Sequence, residues 1–225
     1  KNIIKKIVNI TNIKNENIIE IGPGLGALTD EILKLNPKKL IIVEKDNKLF
    51  KLLVNKYKNK NLTILNEDAL NFNFKNLNNF KVISNLPYNI SSKLIIKILK
   101  YNDNITEIIC MIQKELADKF NFKKGKMNKY KFITQYCSNY KIVFKISPEV
   151  FYPKPKINSN LVKFTLINKK INKEKLNYFF NNFFINKRKK IKSNKYFKNK
   201  IEDKYLNFRY EELTYKDILR IYQGF

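Results

Sequence analysis

The chain has 225 residues, and 44% are hydrophobic, so it can bury a core and is not a disordered tail. Its 46 Lys and Arg against 19 Asp and Glu give a formal charge of +27. Such a surplus repels itself unless a polyanion uses it, which makes nucleic acid the expected partner, ahead of an anionic membrane surface. There is no histidine, and Cys110 and Cys137 form no C-x-x-C pair, which excludes histidine catalysis and argues against a metal site.

Lys, Asn and Ile are all abundant, as an AT-rich coding sequence produces, so the charge supports a nucleic-acid partner without identifying one. No apolar run reaches membrane-spanning length, and no membrane role is expected. The chain starts at Lys1 without a Met and reads as a fragment, so that any targeting segment would lie upstream. An organelle of an AT-rich eukaryote, plastid or mitochondrion, is therefore expected ahead of a bacterial cytoplasm.

In chain order, Ile3 to Ile10 reads as the end of a helix and Asn17 to Ile21 as a strand. Ala27 to Leu35 is a helix that stops before Pro37. Leu40 to Val43 is a short β-rich run with Glu44 at its tip, and Asn47 to Tyr57 is a helix. Leu62 to Leu65 and Phe80 to Ile83 are strands, with Asp68 just beyond the first. Ser91 to Leu99 is a helix with Ser91 as N-cap. Ile105 to Ile112 is an apolar run expected in the sheet centre, buried on both faces. Tyr140 to Ile146 and Leu161 to Leu166 flank the Pro-rich loop "SPEVFYPKPKINSN".

Strands alternating with helices predict an α/β fold, a parallel, doubly wound Rossmann-like sheet over residues 1–167, with ligands at the carboxyl ends of the strands. From residue 168 to 225 the pattern changes to a small helical domain. Its aromatic "YFFNNFF" and basic "NKRKKIKSNKYF" both look helical and amphipathic, and the domain is expected to face RNA.

The first candidate site is "IIEIGPGLGAL", an apolar strand running into Gly22, Gly24 and Gly26. Read as G-x-G-x-x-A it fits a dinucleotide fingerprint; read as G-x-G-x-G it fits an S-adenosylmethionine (SAM) loop. Glu44, about 20 residues on, stands where an acid takes ribose hydroxyls. Asp68 stands where a carboxylate can accept from an adenine amine, although an Asp N-cap explains it nearly as well. Both cofactors carry ribose and adenine, so neither acid separates them. The separating residues are Asn85-Leu86-Pro87-Tyr88, which put an amide, a stiffened turn and an aromatic ring at the pocket mouth. An adenine amine is a poor nucleophile, because its lone pair is delocalised into the ring. Two acceptors, the Asn85 side chain and the carbonyl before Pro87, can take its hydrogens and aim the lone pair at a sulfonium methyl, while Tyr88 stacks on the base. No strong base is required, which suits a chain without histidine.

These residues resemble the KsgA-type ribosomal RNA adenine dimethyltransferases, close relatives of the erythromycin-resistance methylases. The resemblance spans nearly the whole chain. It rests on "EIGPGLGALT", "VEKD", "EDAL", "NLPYNIS", "MIQKELADKF" and "VFYPKPKINSNLV" in that order and spacing. It implies a SAM-dependent methyltransferase that dimethylates two adjacent adenosines near the 3′ end of small-subunit rRNA in the assembling subunit, acting as a monomer. By motif, Gly22, Gly24, Gly26, Glu44, Lys45, Asp68, Ala69 and Asn85 would contact SAM. Asn85, Leu86, Pro87 and Tyr88 would hold the target adenine, and Phe151 would pack on its other face. Lys187, Arg188, Lys189, Lys190 and Lys192, which resemble the family's Arg-rich helix start, would contact phosphates. The family's Gln-Asn-Phe-Leu segment does not occur in this chain, and "KMNKYKF" stands where the family has Tyr-Gly-Arg. Three alternatives stay open: a resistance-type methylase of large-subunit rRNA, a relative that acts mainly by binding in ribosome assembly or organellar transcription, and an NAD-dependent enzyme.

Overall fold

The computed structural model describes residues 2–58, 60–123, 125–150, 157–186, 188–197 and 199–225. The expected Phe151 and Lys187 sites lie outside the described residues. The chain folds as two compact units: Lys1–Ala117 with Cys137–Lys169, and Asp118–Tyr136 with Lys170–Phe225. The division is not a single cut, because 118–136 leaves the first unit and joins the second.

In chain order the elements begin α1 (Asn2–Val8), β1 (Asn17–Ile21), α2 (Ala27–Lys34), β2 (Lys39–Glu44), α3 (Asn47–Lys56) and β3 (Leu62–Asn66). They continue β4 (Phe80–Asn85), α4 (Tyr88–Ile98), β5 (Ile105–Gln113), α5 (Lys114–Phe120), α6 (Lys129–Cys137), β6 (Ser138–Ile146) and β7 (Ser159–Leu166). The chain ends in α7 (Lys173–Phe183), α8 (Asp203–Leu206) and α9 (Tyr215–Gly224).

The sheet order is β3-β2-β1-β4-β5-β7-β6. Strands β1 to β5 pair in parallel, and the Ile- and Val-rich runs of β1, β2, β4 and β5 are largely buried, whereas the edge strand β3 is only partly covered. The chain steps outward from β1 to β3, then returns to lay β4 against β1's other edge. That reversal opens a crevice at the carboxyl ends of β1 and β4.

Three expectations are corrected. The sheet is not wholly parallel: β7 runs antiparallel to both β5 and β6, since the long β6–β7 loop returns the chain as a hairpin. Helix α4 starts at Tyr88, three residues before the expected Ser91 cap. Pro87, with φ −56°, is the N-cap; its ring presets the turn, and the Ser91 hydroxyl donates to the Tyr88 carbonyl within the helix (3.0 Å). The described part of "NKRKKIKSNKYF" is not an amphipathic α-helix but turns around a 3-10 segment, Ile191–Ser193. Asn194 is the reason: its amide donates back to the carbonyls of Asn182 (2.9 Å) and Phe183 (3.4 Å), folding the chain onto the end of α7.

The second unit is held by aromatic rings. Phe132, Phe179 and Phe197 are fully buried, with Phe179 stacked on Phe183 at 4.7 Å and edge-on to Tyr222 at 5.2 Å. Both cysteines are buried thiols, Cys110 in β5 and Cys137 at the end of α6. Burial pushes Cys137 up to about 12 and Cys110 higher still. Among the described residues no helix is long and apolar enough to cross a membrane.

Candidate functional site

Strand β1 ends in a glycine turn at the crevice. The Gly22 N–H donates to Val43 O (2.9 Å), and the Ser84 hydroxyl donates to Ile21 O (2.5 Å), so β1's tip is pinned to both neighbouring strands. Gly22 has φ +65°, and a Cβ there would stand 3.2 Å from Pro87 Cγ. The glycine turn and the Asn85–Tyr88 turn therefore lie close together, and a side chain at position 22 would crowd the Pro87 ring.

Gly26, at φ +84°, is the N-cap of α2, and a Cβ there would lie 2.2 Å from the Tyr57 hydroxyl. That hydroxyl donates to Asp30 Oδ1 (2.6 Å) and approaches Gly26 O at 3.0 Å. Lys56 Nζ donates to Leu25 O (3.1 Å) and Asp30 Oδ2 (2.9 Å). The end of α3 thus braces the glycine turn from outside. Burial pushes the Asp30 carboxyl up, but the Tyr57 and Lys56 hydrogen bonds outweigh it and hold it below the usual range. Burial and the Asp30 bond push the Tyr57 phenol up to about 12.

Beneath the turn lies Glu20, on β1 and fully buried. Burial raises its carboxyl to about 8, outweighing the Thr29 hydroxyl that donates to it at 2.6 Å. Near neutral pH this acid is largely protonated, so the turn sits on a neutral group.

The opposite wall comes from the ends of β2 and β3. Glu44 is 7% exposed; its Oε1 accepts the Asp46 N–H (2.8 Å), and its Oε2 takes no hydrogen bond among the described residues. Asp68 Oδ1 accepts the Leu70 N–H (2.9 Å) and Oδ2 meets Lys45 Nζ (2.8 Å). The Lys45 bond, then the Leu70 bond, hold the Asp68 carboxyl below its usual range. Asp68 thus caps no helix among the described residues; it braces a turn through Leu70 N and lies on the crevice wall.

A cavity of about 150 Å³ lies here, lined by Gly22, Glu44, Lys45, Asp68, Ala69 and Pro87, together with Ile21, Val43, Glu67, Asn89 and Ile90. Six residues expected from sequence are brought together on its wall. Gly24, Gly26, Asn85, Leu86 and Tyr88 are not on it. Gly24 and Gly26 turn away to start α2. Asn85 is exposed at β4's end, and the Leu86 side chain is buried in the core, which leaves its carbonyl as the group that can serve a ligand. Tyr88 is half-buried, its hydroxyl 2.8 Å from the Ser159 hydroxyl on β7. Arg188, Lys189, Lys190 and Lys192 are exposed in the second unit. The open oxygen of Glu44 and the Asp68 carboxylate form a pair of acceptors beside a turn without side chains, which fits a nucleoside whose ribose diol and exocyclic amine donate.

Ser84, Tyr57 and Ser159 hydrogen-bond residues at the two turns, but sequence reasoning passed over them. Ser84 had a signal, standing directly before Asn85. Tyr57 and Ser159 had none, since each meets its partner across 27 or more residues.

The family model described as ribosomal RNA adenine dimethylase matches residues 1–224. A curated relative from Malacoplasma penetrans (strain HF-2), "Ribosomal RNA small subunit methyltransferase A", is 43% identical over 216 residues, covering 90% of this chain and 77% of its own. The protein of that name from Hydrogenobaculum sp. (strain Y04AAS1) is 38% identical over 226 residues, covering 99% and 87%. Among solved structures, a dimethyladenosine transferase from Plasmodium falciparum superposes with TM-score 0.77 at 22% identity, covering 98% of this chain and 94% of its own. The 23S rRNA methyltransferase ErmE superposes at 0.73 and 20%, covering 100% and 97%. At those identities the superpositions speak for the fold alone.

Proposed function

The chain belongs to the ribosomal RNA adenine dimethylase family, whose methyl donor is SAM, and from that premise we propose that it dimethylates the exocyclic amines of two adjacent adenosines near the 3′ end of small-subunit rRNA, during subunit assembly. The observation that carries this reading is the closeness of Pro87 to Gly22, which sets an amine-binding turn beside a donor-binding turn.

In this reading Glu44 holds the ribose diol, Asp68 accepts from the donor's adenine amine, and Gly22, Lys45, Ala69 and Pro87 shape the pocket wall. Bound SAM supplies an electrophilic methyl group on its sulfonium. Asn85 Oδ1 and the Leu86 carbonyl accept the two hydrogens of the target amine, directing its lone pair along the line of displacement. Tyr88 stacks on the extruded base, and Phe151 is proposed for its other face. The alkylated nitrogen is acidic and loses its proton to water, so no histidine is needed. Gly24 and Gly26 serve by turning the chain, and Lys187, Arg188, Lys189, Lys190 and Lys192 are assigned to phosphates.

The two curated relatives cited above carry small-subunit names, which favours that target over the large subunit. They are bacterial, and nothing in the comparisons supports the organelle expected from sequence, so the reading is set in a bacterial cytoplasm. The protein is proposed to act as a monomer. The test gives this protein and labelled SAM to unmethylated small subunits and maps the modified bases. Label on two adjacent adenines near the 3′ end is expected. Label confined to large subunits would transfer the protein to the resistance-type reaction, and SAM-dependent binding without label would make it an assembly factor.

A further inference from the structure

Lys97 lies in the last turn of α4, the helix that begins at Tyr88. A lysine there ordinarily interacts with its own helix's terminal carbonyls. This one reaches away, donating at 2.7 Å to Leu70 O and at 2.7 Å to Phe72 O. Its ammonium also stands 5.4 Å from the centroid of the buried Phe74 ring. It forms no ion pair among the described residues. Burial pulls the ammonium below its usual range, and Glu67 and Asp68 pull it back.

The two carbonyls belong to the turn that carries Asp68 and Ala69 on the cavity wall. The backbone of that turn closes on itself, with Asp68 O accepting from Asn71 N (2.8 Å) and Phe72 N (3.1 Å) and Asp68 Oδ1 from Leu70 N, while Lys45 holds the Asp68 carboxylate from outside at Oδ2 (2.8 Å). Lys97 supplies charge-assisted bonds from a different element, of the stronger kind for which both partners must be present. We propose that Lys97 is a positioning residue for methyl-donor binding, holding the Asp68–Phe72 turn where its carboxylate and Ala69 meet the nucleoside. Helix α4 then carries the amine-binding turn at its start and fastens the nucleoside-binding turn near its end. This rests on the SAM reading of the cavity.

The test measures equilibrium binding of SAM and of 5′-methylthioadenosine, which keeps the nucleoside and lacks the amino-acid end, with turnover on small subunits. Lys97→Met is expected to weaken both ligands by a similar factor, roughly tenfold. Turnover at saturating SAM should stay within about threefold of wild type, and Lys97→Arg should restore most of the affinity. A role in stability alone would lower the melting temperature without this split between KM and kcat. Binding within twofold of wild type for Lys97→Met, a loss confined to SAM, or no rescue by arginine would each overturn the proposal. If Lys97→Met does not fold, Lys97→Leu, which likewise removes the donor, takes its place under the same criteria. Wild-type protein that binds neither ligand would instead remove the cofactor reading itself.

Discussion

Two strand-to-helix turns meet at the crevice, and they are built by opposite means. The turn after β1 uses glycines at positive φ, has no side chain capping α2, and exposes backbone to its ligand. The turn after β4 uses a proline, has no side chain capping α4, and offers an amide, a carbonyl and a ring. Away from the crevice, α3 is capped in the usual way, with Asp46 accepting from the Lys48 and Leu49 N–H groups. In the proposed reading, removing side chains admits the donor closely, and stiffening the backbone lets side chains act on the acceptor. The difference predicts that damage to the first turn shows in stability and donor affinity, and damage to the second in turnover.

The sharpest break is Gly26→Ala. Left-handed backbone and overlap with the Tyr57 hydroxyl together should cost about 2–4 kcal/mol, measured by denaturant unfolding, with SAM binding lost by calorimetry. On the other turn, Tyr88→Ala should lower turnover about a hundredfold and leave SAM affinity within about threefold. Equal loss of both would erase the division between the turns. Tyr88→Phe and Ser159→Ala should each give a smaller drop, and the double variant no more than either alone, since both cut one hydrogen bond.

Acidity separates the turns next. Glu20 lies under the glycine turn and Ser84 beside the proline turn, so only the first rests on a titratable group. Glu20 binds its proton up to about pH 8 when folded but only to its ordinary value when unfolded. The unfolded chain therefore holds fewer protons between about 4.5 and 8, and this group's contribution to stability declines as pH rises through that window and levels off above it. The decline is up to about 1.4 kcal/mol per pH unit, read as melting temperature against pH. Glu20→Gln should flatten the profile and be the more stable protein at pH 8. The smallest effect belongs to Tyr57→Phe, about 1 kcal/mol and about a three- to fivefold loss of SAM affinity. In the Gly26→Ala background the same change should relieve part of the damage, by removing the overlapping hydroxyl.

What could be read from sequence follows the range of the forces involved. The parallel strands were legible because β-branched runs buried on both faces are a local pattern, as in β1 and β2. The direction of β7 was not, since alternation carries no sign. Ser91 outranks Pro87 as a cap by residue type, yet the ring's fixed φ decided where α4 starts. Charge density in 186–197 gave no information on its backbone, which the Asn194 amide controls. The acids and glycines of the cavity were legible as motifs, whereas the braces from Tyr57 and Lys97 join positions 25 to 31 residues apart and depend on the tertiary fold.

The buried thiols give the protein a chemical reporter of its own opening. Thiolate is the form that alkylating reagents attack, and burial denies both cysteines water and charge. Cys110 sits in β5, paired with β4 and β7 and fully buried, so iodoacetamide can reach it only when the packing over that strand opens. Cys137 lies where α6 gives way to β6, at the boundary between the two compact units. Digestion and peptide mapping after timed alkylation therefore report two openings separately, one around Cys137 and one around Cys110.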